Sequence, residues 1–112
     1  MADIADVYIV RIYFKGTSGI YKPRPVVIIN SDKAKDIYTI AEITSVKPDA
    51  SSYYDQFNEE IIDWKSCGLD KKSYVKCKNI HNVNSQRLLR KIGEMDEDDF
   101  LNIAEKIVEY NG

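Results

Sequence analysis

With 112 residues, of which 44% are hydrophobic and 30% charged, the chain has enough apolar material for one domain, residues 1–112, whose core needs neither disulfides nor metal. The net charge of −2 conceals a division, because residues 1–93 carry 15 basic against 11 acidic side chains and residues 94–112 carry one against seven. A mildly basic body excludes a bulk nucleic-acid binder but permits a local site for a polyanion. No apolar run approaches the 18 or so residues that span a bilayer, and no basic-then-apolar signal opens the chain, so a cytoplasmic location and no membrane are expected.

Val7 to Phe14 alternates loosely, with Tyr8, Val10, Ile12 and Phe14 on one face, and predicts the first strand. Lys15 to Lys22 holds Gly16, Thr17, Ser18 and Gly19, a loop flanked by lysines. Pro25–Asn30 and Ile37–Thr44 predict strands two and three, joined by a polar connection. Ser45 to Tyr54 reads as loop, Gln56 to Ile62 as a strand, Cys67-Gly68-Leu69 as a turn and Ser73 to Ile80 as the fifth strand. The period then changes: Leu88, Leu89 and Ile92 share a helical face, and Gly93 fits its C-terminal cap. Asp96 is expected to cap a second helix, with acids in its first turn and Phe100, Ile103, Ala104, Ile107 and Val108 as its buried stripe. Five strands followed by two helices predict a mainly β fold with C-terminal helices (β+α), a small bent barrel.

Cys67 and Cys77 lack metal-ligand spacing, and with His81 the only histidine no metal site or cofactor is expected. Both cysteines, like Trp64, read as packing residues, and Tyr53 and Tyr54 as loop tyrosines packed on their neighbours.

The segment Lys22-Pro23-Arg24-Pro25-Val26-Val27-Ile28-Ile29-Asn30 carries the most chemical information. Pro23 fixes its own φ, and Pro25 drives Arg24 into extended geometry, so a guanidinium is held stiffly where an apolar strand begins. The plain alternative is a solvated arginine capping a strand. If the turn between strands two and three centres on Ala34, opposed residue numbers sum to 68 and Arg24 lies across from Thr44, to within one residue if a bulge intervenes. A guanidinium and a hydroxyl so placed suit a phosphodiester, with Ser45 able to add a hydrogen bond. Neither a two-histidine pair nor an evident two-metal carboxylate cluster accompanies them. RNA brings its own nucleophile in the 2′-hydroxyl, so metal-free RNA cleavage fits this inventory better than DNA hydrolysis.

Ala5-Asp6-Val7-Tyr8-Ile9-Val10, the Lys22–Asn30 segment and Ala41-Glu42-Ile43-Thr44-Ser45 come in an order and spacing that resemble the MazF/PemK (Kid) family of toxin endoribonucleases. Leu69 to Val75 with Ser73, and Asn84 to Asp96 with Arg87, Leu88, Ile92 and Gly93, extend the resemblance over nearly the whole chain. It implies an SH3-like barrel of the CcdB/MazF type, a homodimer, and cleavage of single-stranded RNA to 2′,3′-cyclic phosphate and 5′-hydroxyl ends. It also implies Arg24 and Thr44 as the catalytic pair and a cognate antitoxin as partner. Lys15, Ser18, Lys22, Ser45 and His81 are the expected substrate contacts, although His81 on its own reads first as a satisfied structural histidine. The chain departs from many relatives at Ala5, where they have glycine, and in its first loop, which lacks their Glu-Gln pair. Two alternatives stay open: a non-enzymatic CcdB-like toxin that binds a protein such as DNA gyrase, and an SH3-like module that has lost catalysis.

Overall fold

The structure, a computed structural model, describes residues 2–13 and 21–112. Phe14 and the expected substrate contacts Lys15 and Ser18 lie outside the described residues. Six strands form one antiparallel sheet: β1 (Asp6–Tyr13), β2 (Tyr21–Asp32), β3 (Ile37–Thr44), β4 (Asn58–Glu60), β5 (Tyr74–Val83) and β6 (Leu88–Glu94), in the order β4-β5-β3-β2-β1-β6. Among the described residues one α-helix, α1 (Glu97–Asn111), follows. No helix among the described residues is long and apolar enough to cross a membrane.

Side chains of a strand alternate between faces, and here both faces are apolar. Val7, Val27, Ala41, Ile43, Val75 and Cys77 meet α1 through Ile103, whereas Val10, Val26, Ile28, Tyr38 and Ile40 build a second core on the opposite face. Bulges between Val7 and Tyr8, between Ile9 and Val10, around Ile29 in β2 and opposite Glu42 in β5 bend the strands, which lets one sheet curl around the second core like a small barrel.

The expected first of two helices is a strand. Its helical signal is spent in one 3-10 turn, Ser85–Arg87, where the Asn84 side chain accepts from the Gln86 N–H at 3.1 Å. Leu88–Glu94 then pairs with β1 as β6, since seven residues make a marginal helix and a complete ladder strand. Gly93 is therefore no helix cap. A Cβ there would lie 2.3 Å from the Cys67 carbonyl carbon, and Glu94 N–H donates to the Ser66 carbonyl at 3.0 Å, so glycine is what lets the 64–69 turn close on β6. Gly68, at φ +77°, completes that turn.

Two further expectations need correction. Gln56 to Ile62 supplies only the short β4, because Tyr54–Phe57 forms a 3-10 turn whose Phe57 ring packs edge-on to Tyr110 at 5.1 Å and to Tyr53 at 5.5 Å. In α1, Asp96 caps as expected, accepting from Asp98 N–H at 3.0 Å, but Val108 is 71% exposed because it falls on the solvent side of the stripe that Ile103 centres. Asp99 is buried and does more than favour the helix start. Its carboxylate accepts from the backbone N–H groups of Ile62 at 3.1 Å and Asp63 at 2.9 Å, tying the segment after β4 to the helix. Trp64, Cys67 and Cys77 do pack on the main core, the thiols free and buried.

Gly93→Ala is expected to destabilise the fold by about 1–3 kcal/mol, the range for overpacking a tight contact, because the clash is with backbone. Urea unfolding checks this, a lowered midpoint being the expected result.

Candidate active site on strands β2 and β3

Pro23, Arg24 and Pro25 stand inside β2, not at its mouth, and β1 flanks them through the pairs Arg11 with Pro23, Val10 with Arg24 and Ile9 with Pro25. On the other side β3 pairs as far as Val26 with Glu42. Prolines have no N–H for a ladder, so β2 carries them beyond the end of its ladder with β3. The end of β3 thereby separates from β2 and leaves space between them.

The register settles what faces that space. From Asp32 with Ile37 to Asn30 with Thr39 the pairing is offset by one residue from a turn centred on Ala34. The bulge at Ile29 removes the offset, and Ile28 with Ile40, Val27 with Ala41 and Val26 with Glu42 follow the expected series. Continued by two residues, that series places Arg24 across from Thr44. Arg24, Thr44 and Ser45 do line one pocket, of about 170 Å³, closed on its far side by Leu69, Asp70, Lys71 and Ser73.

Each wall has a local cause. The Thr44 Oγ1 accepts from the Val46 N–H at 3.1 Å, which fixes its rotamer and leaves its own proton for donation. Ser73 is buried, its hydroxyl donating to the Lys71 carbonyl at 2.9 Å and its carbonyl accepting from Ile61 N–H at 3.0 Å. Asp70 and Lys71 were not among the residues singled out from sequence. The signal available for them was a paired lysine run after a Gly-Leu turn, which does not reveal the wall it faces. Lys22, exposed on β2 two residues before Arg24, is outside the lining of this pocket.

His81 lies elsewhere. It pairs with Ile40, four residues before Thr44 along β3, or about 13 Å at 3.3 Å per residue. It lines a separate cleft of about 340 Å³ with Arg11, Asn82, Asn84 and Arg87. Its Nε2 is 3.0 Å from Glu42 Oε2, to which Asn79 also donates at 3.2 Å. Glu42, on the same face of β3 as Thr44 and Ile40, thus stands between the two pockets. The Asp36 carboxylate stiffens the corner beyond by accepting from Ser85 Oγ at 3.0 Å, and Thr39 Oγ1 donates to Asn82 Oδ1 at 2.7 Å. Among the described residues no group of three or more His, Cys, Asp or Glu is arranged to hold a metal ion.

The PemK-like, MazF-like toxin family of type II toxin–antitoxin systems matches residues 4–110. Among solved structures, the toxin MazF-mt6 of Mycobacterium tuberculosis is similar at 24% identity and a TM-score of 0.66, covering 93% of each chain. The MazE–MazF complex of Deinococcus radiodurans gives 12% identity and a TM-score of 0.73 over 99% of this chain and 96% of the other. An endoribonuclease in complex with its cognate antitoxin, from a mycobacterial species, gives 14% identity and a TM-score of 0.66 over 98% and 93%. These likenesses establish the fold. No curated protein sequence matches.

Burial pushes the Cys67 thiol, in the turn before the pocket wall, up to about 11, helped by the charges of Asp99 and Asp63. Burial, then the Glu59 charge, pushes Cys77 up to about 12. Both thiols stay protonated in the folded state while those of an unfolded chain ionise near 9, so their contribution to stability is complete below about pH 9 and lost as pH rises through 11 and 12. Denaturant midpoints should accordingly fall as pH climbs across that window, and iodoacetamide should label neither cysteine in the native protein near neutral pH while labelling both in urea.

Proposed function

The chain belongs to the PemK-like, MazF-like toxin family of type II toxin–antitoxin systems, and from that premise we propose that it is a metal-independent endoribonuclease acting on single-stranded RNA. The observation that carries this reading is the convergence of Arg24 and Thr44 on one pocket. A guanidinium offers parallel N–H donors that match two phosphate oxygens, and a hydroxyl with its proton uncommitted supplies a third donor. As the 2′-oxygen attacks phosphorus, charge accumulates on the non-bridging oxygens, and donors already in place bind that state more strongly than the ground state. The products are a 2′,3′-cyclic phosphate and a 5′-hydroxyl end.

Arg24 and Thr44 are the catalytic residues in this reading, Ser45 adds a donor at the same pocket, and Lys22, Lys15 and Ser18 are further contacts for the RNA strand. His81 serves a neighbouring nucleotide, since its distance along β3 puts it beyond the scissile phosphate. The protein acts in the cytoplasm as a homodimer that a cognate antitoxin neutralises, the arrangement suggested by family membership and by the toxin–antitoxin complexes among the similar folds. No cofactor is invoked.

Purified protein should cut single-stranded RNA in the presence of EDTA, and Arg24→Ala or Thr44→Ala should each lower the rate at least tenfold, equivalent to about 1.4 kcal/mol of barrier. Intact RNA across many sequence contexts would overturn the enzymatic reading, and a growth effect relieved by a gyrase mutation would point to the protein-binding alternative.

A further inference from the structure

Among the described residues that line the Arg24–Thr44 pocket, Asp70 supplies the one carboxylate and Lys71 the one ammonium group. Both belong to a short connection that is anchored at each end. Leu69 N–H donates to the Trp64 carbonyl at 3.3 Å, and buried Ser73 fixes the other end through its bonds to Lys71 and Ile61. The next residue, Lys72, turns to Glu60 in an ion pair of 3.5 Å. Among the described residues no ion pair engages Asp70 or Lys71, so their charges remain available to the pocket.

Cleavage through the 2′-oxygen requires a group that takes the 2′ proton and another that gives a proton to the departing 5′ oxygen. Neither Arg24 nor Thr44 can do the first, because a guanidinium keeps its protons in proteins and an alcohol is a very weak base. A carboxylate can accept a proton and an ammonium group can give one, so this wall offers one acceptor and one donor.

We propose that Asp70 is the general base and Lys71 the general acid of the Arg24–Thr44 site, an assignment that rests on the ribonuclease reading above. The Asp70 carboxylate accepts the 2′-hydroxyl proton while the 2′-oxygen forms its bond to phosphorus. The bond from phosphorus to the 5′-oxygen breaks, and that oxygen takes a proton from the Lys71 ammonium. Exchange with water then returns the proton from Asp70 to the solvent and restores the one on Lys71, so no other reactant is consumed. Among the described residues, the other charged groups in the pocket lining are Arg24 from β2 and Lys71 from the same loop as Asp70.

The test is single-turnover cleavage of a short RNA by the full chain across pH. Wild type should show a flat profile through the neutral range. Asp70→Asn should cleave about 100-fold or more slowly, the usual share of a general base, with a rate that climbs tenfold per pH unit as hydroxide takes over. Asp70→Glu should restore the flat profile. The deficit of Lys71→Gln should disappear on a substrate whose 5′-bridging oxygen is replaced by sulfur, a leaving group that needs no proton, and this comparison of two substrates on one protein survives any loss of stability. An Asp70→Asn rate equal to wild type, or a slow rate with a flat profile, overturns the assignment while leaving the ribonuclease reading standing. Failure of the wild type to cleave any RNA overturns that reading first and the assignment with it.

Discussion

Antiparallel pairing of Val26 with Glu42 and Val27 with Ala41 holds the proline-bracketed arginine of β2 against the end of β3, and the candidate site is a consequence of that register. A slip of one residue would turn Arg24 to the face occupied by α1 and replace it with a proline. Burial on both faces forbids the slip: Val26 and Ile28 enter one core and Val27 the other, and all three are fully buried. Deeply buried residues fix the register, and the half-buried ones at its end use it.

The two-core arrangement accounts for the remaining geometry. A flat sheet would leave the second core open to water. Bulges bend the strands around it and re-aim side chains as they do so. The largest, in β5 opposite Glu42, puts Asn79 and His81 on one carboxylate oxygen beside the cleft of Arg11 and Arg87. At the other end of the sheet, the prolines stop the β2–β3 ladder where a pocket is needed. The wall of that pocket is held from behind by the 64–69 turn, which itself depends on Gly93 and on the Asp99 carboxylate gripping Ile62 and Asp63. Stability and site geometry therefore share the same few contacts.

Much of this was legible in the sequence, for identifiable reasons. The bounds of β3 follow from an apolar run with polar flanks, and the approach of Arg24 to Thr44 follows from a turn centred on Ala34, with the Ile29 bulge supplying a correction that cancels before the site is reached. The misreadings share one cause. Leu88–Glu94 has a weak helical pattern, and only pairing with β1, more than 70 residues earlier in the chain, makes it a strand. Asp99 looked like dipole chemistry because its partners are 36 and 37 residues away. The same holds for Asp70 and Lys71, since a pocket wall formed by a distant loop has no local signature.

In the proposed function, the β2–β3 register assembles a site that uses RNA's own 2′-hydroxyl as nucleophile. The measurement that tests it most directly is cleavage of an RNA oligonucleotide beside the same strand carrying one 2′-deoxynucleotide at the cleaved position, with the product ends identified by mass. A 2′,3′-cyclic phosphate and a 5′-hydroxyl are expected from the first strand, and no scission at that position in the second. Cutting of the deoxy-substituted linkage at a comparable rate would contradict it.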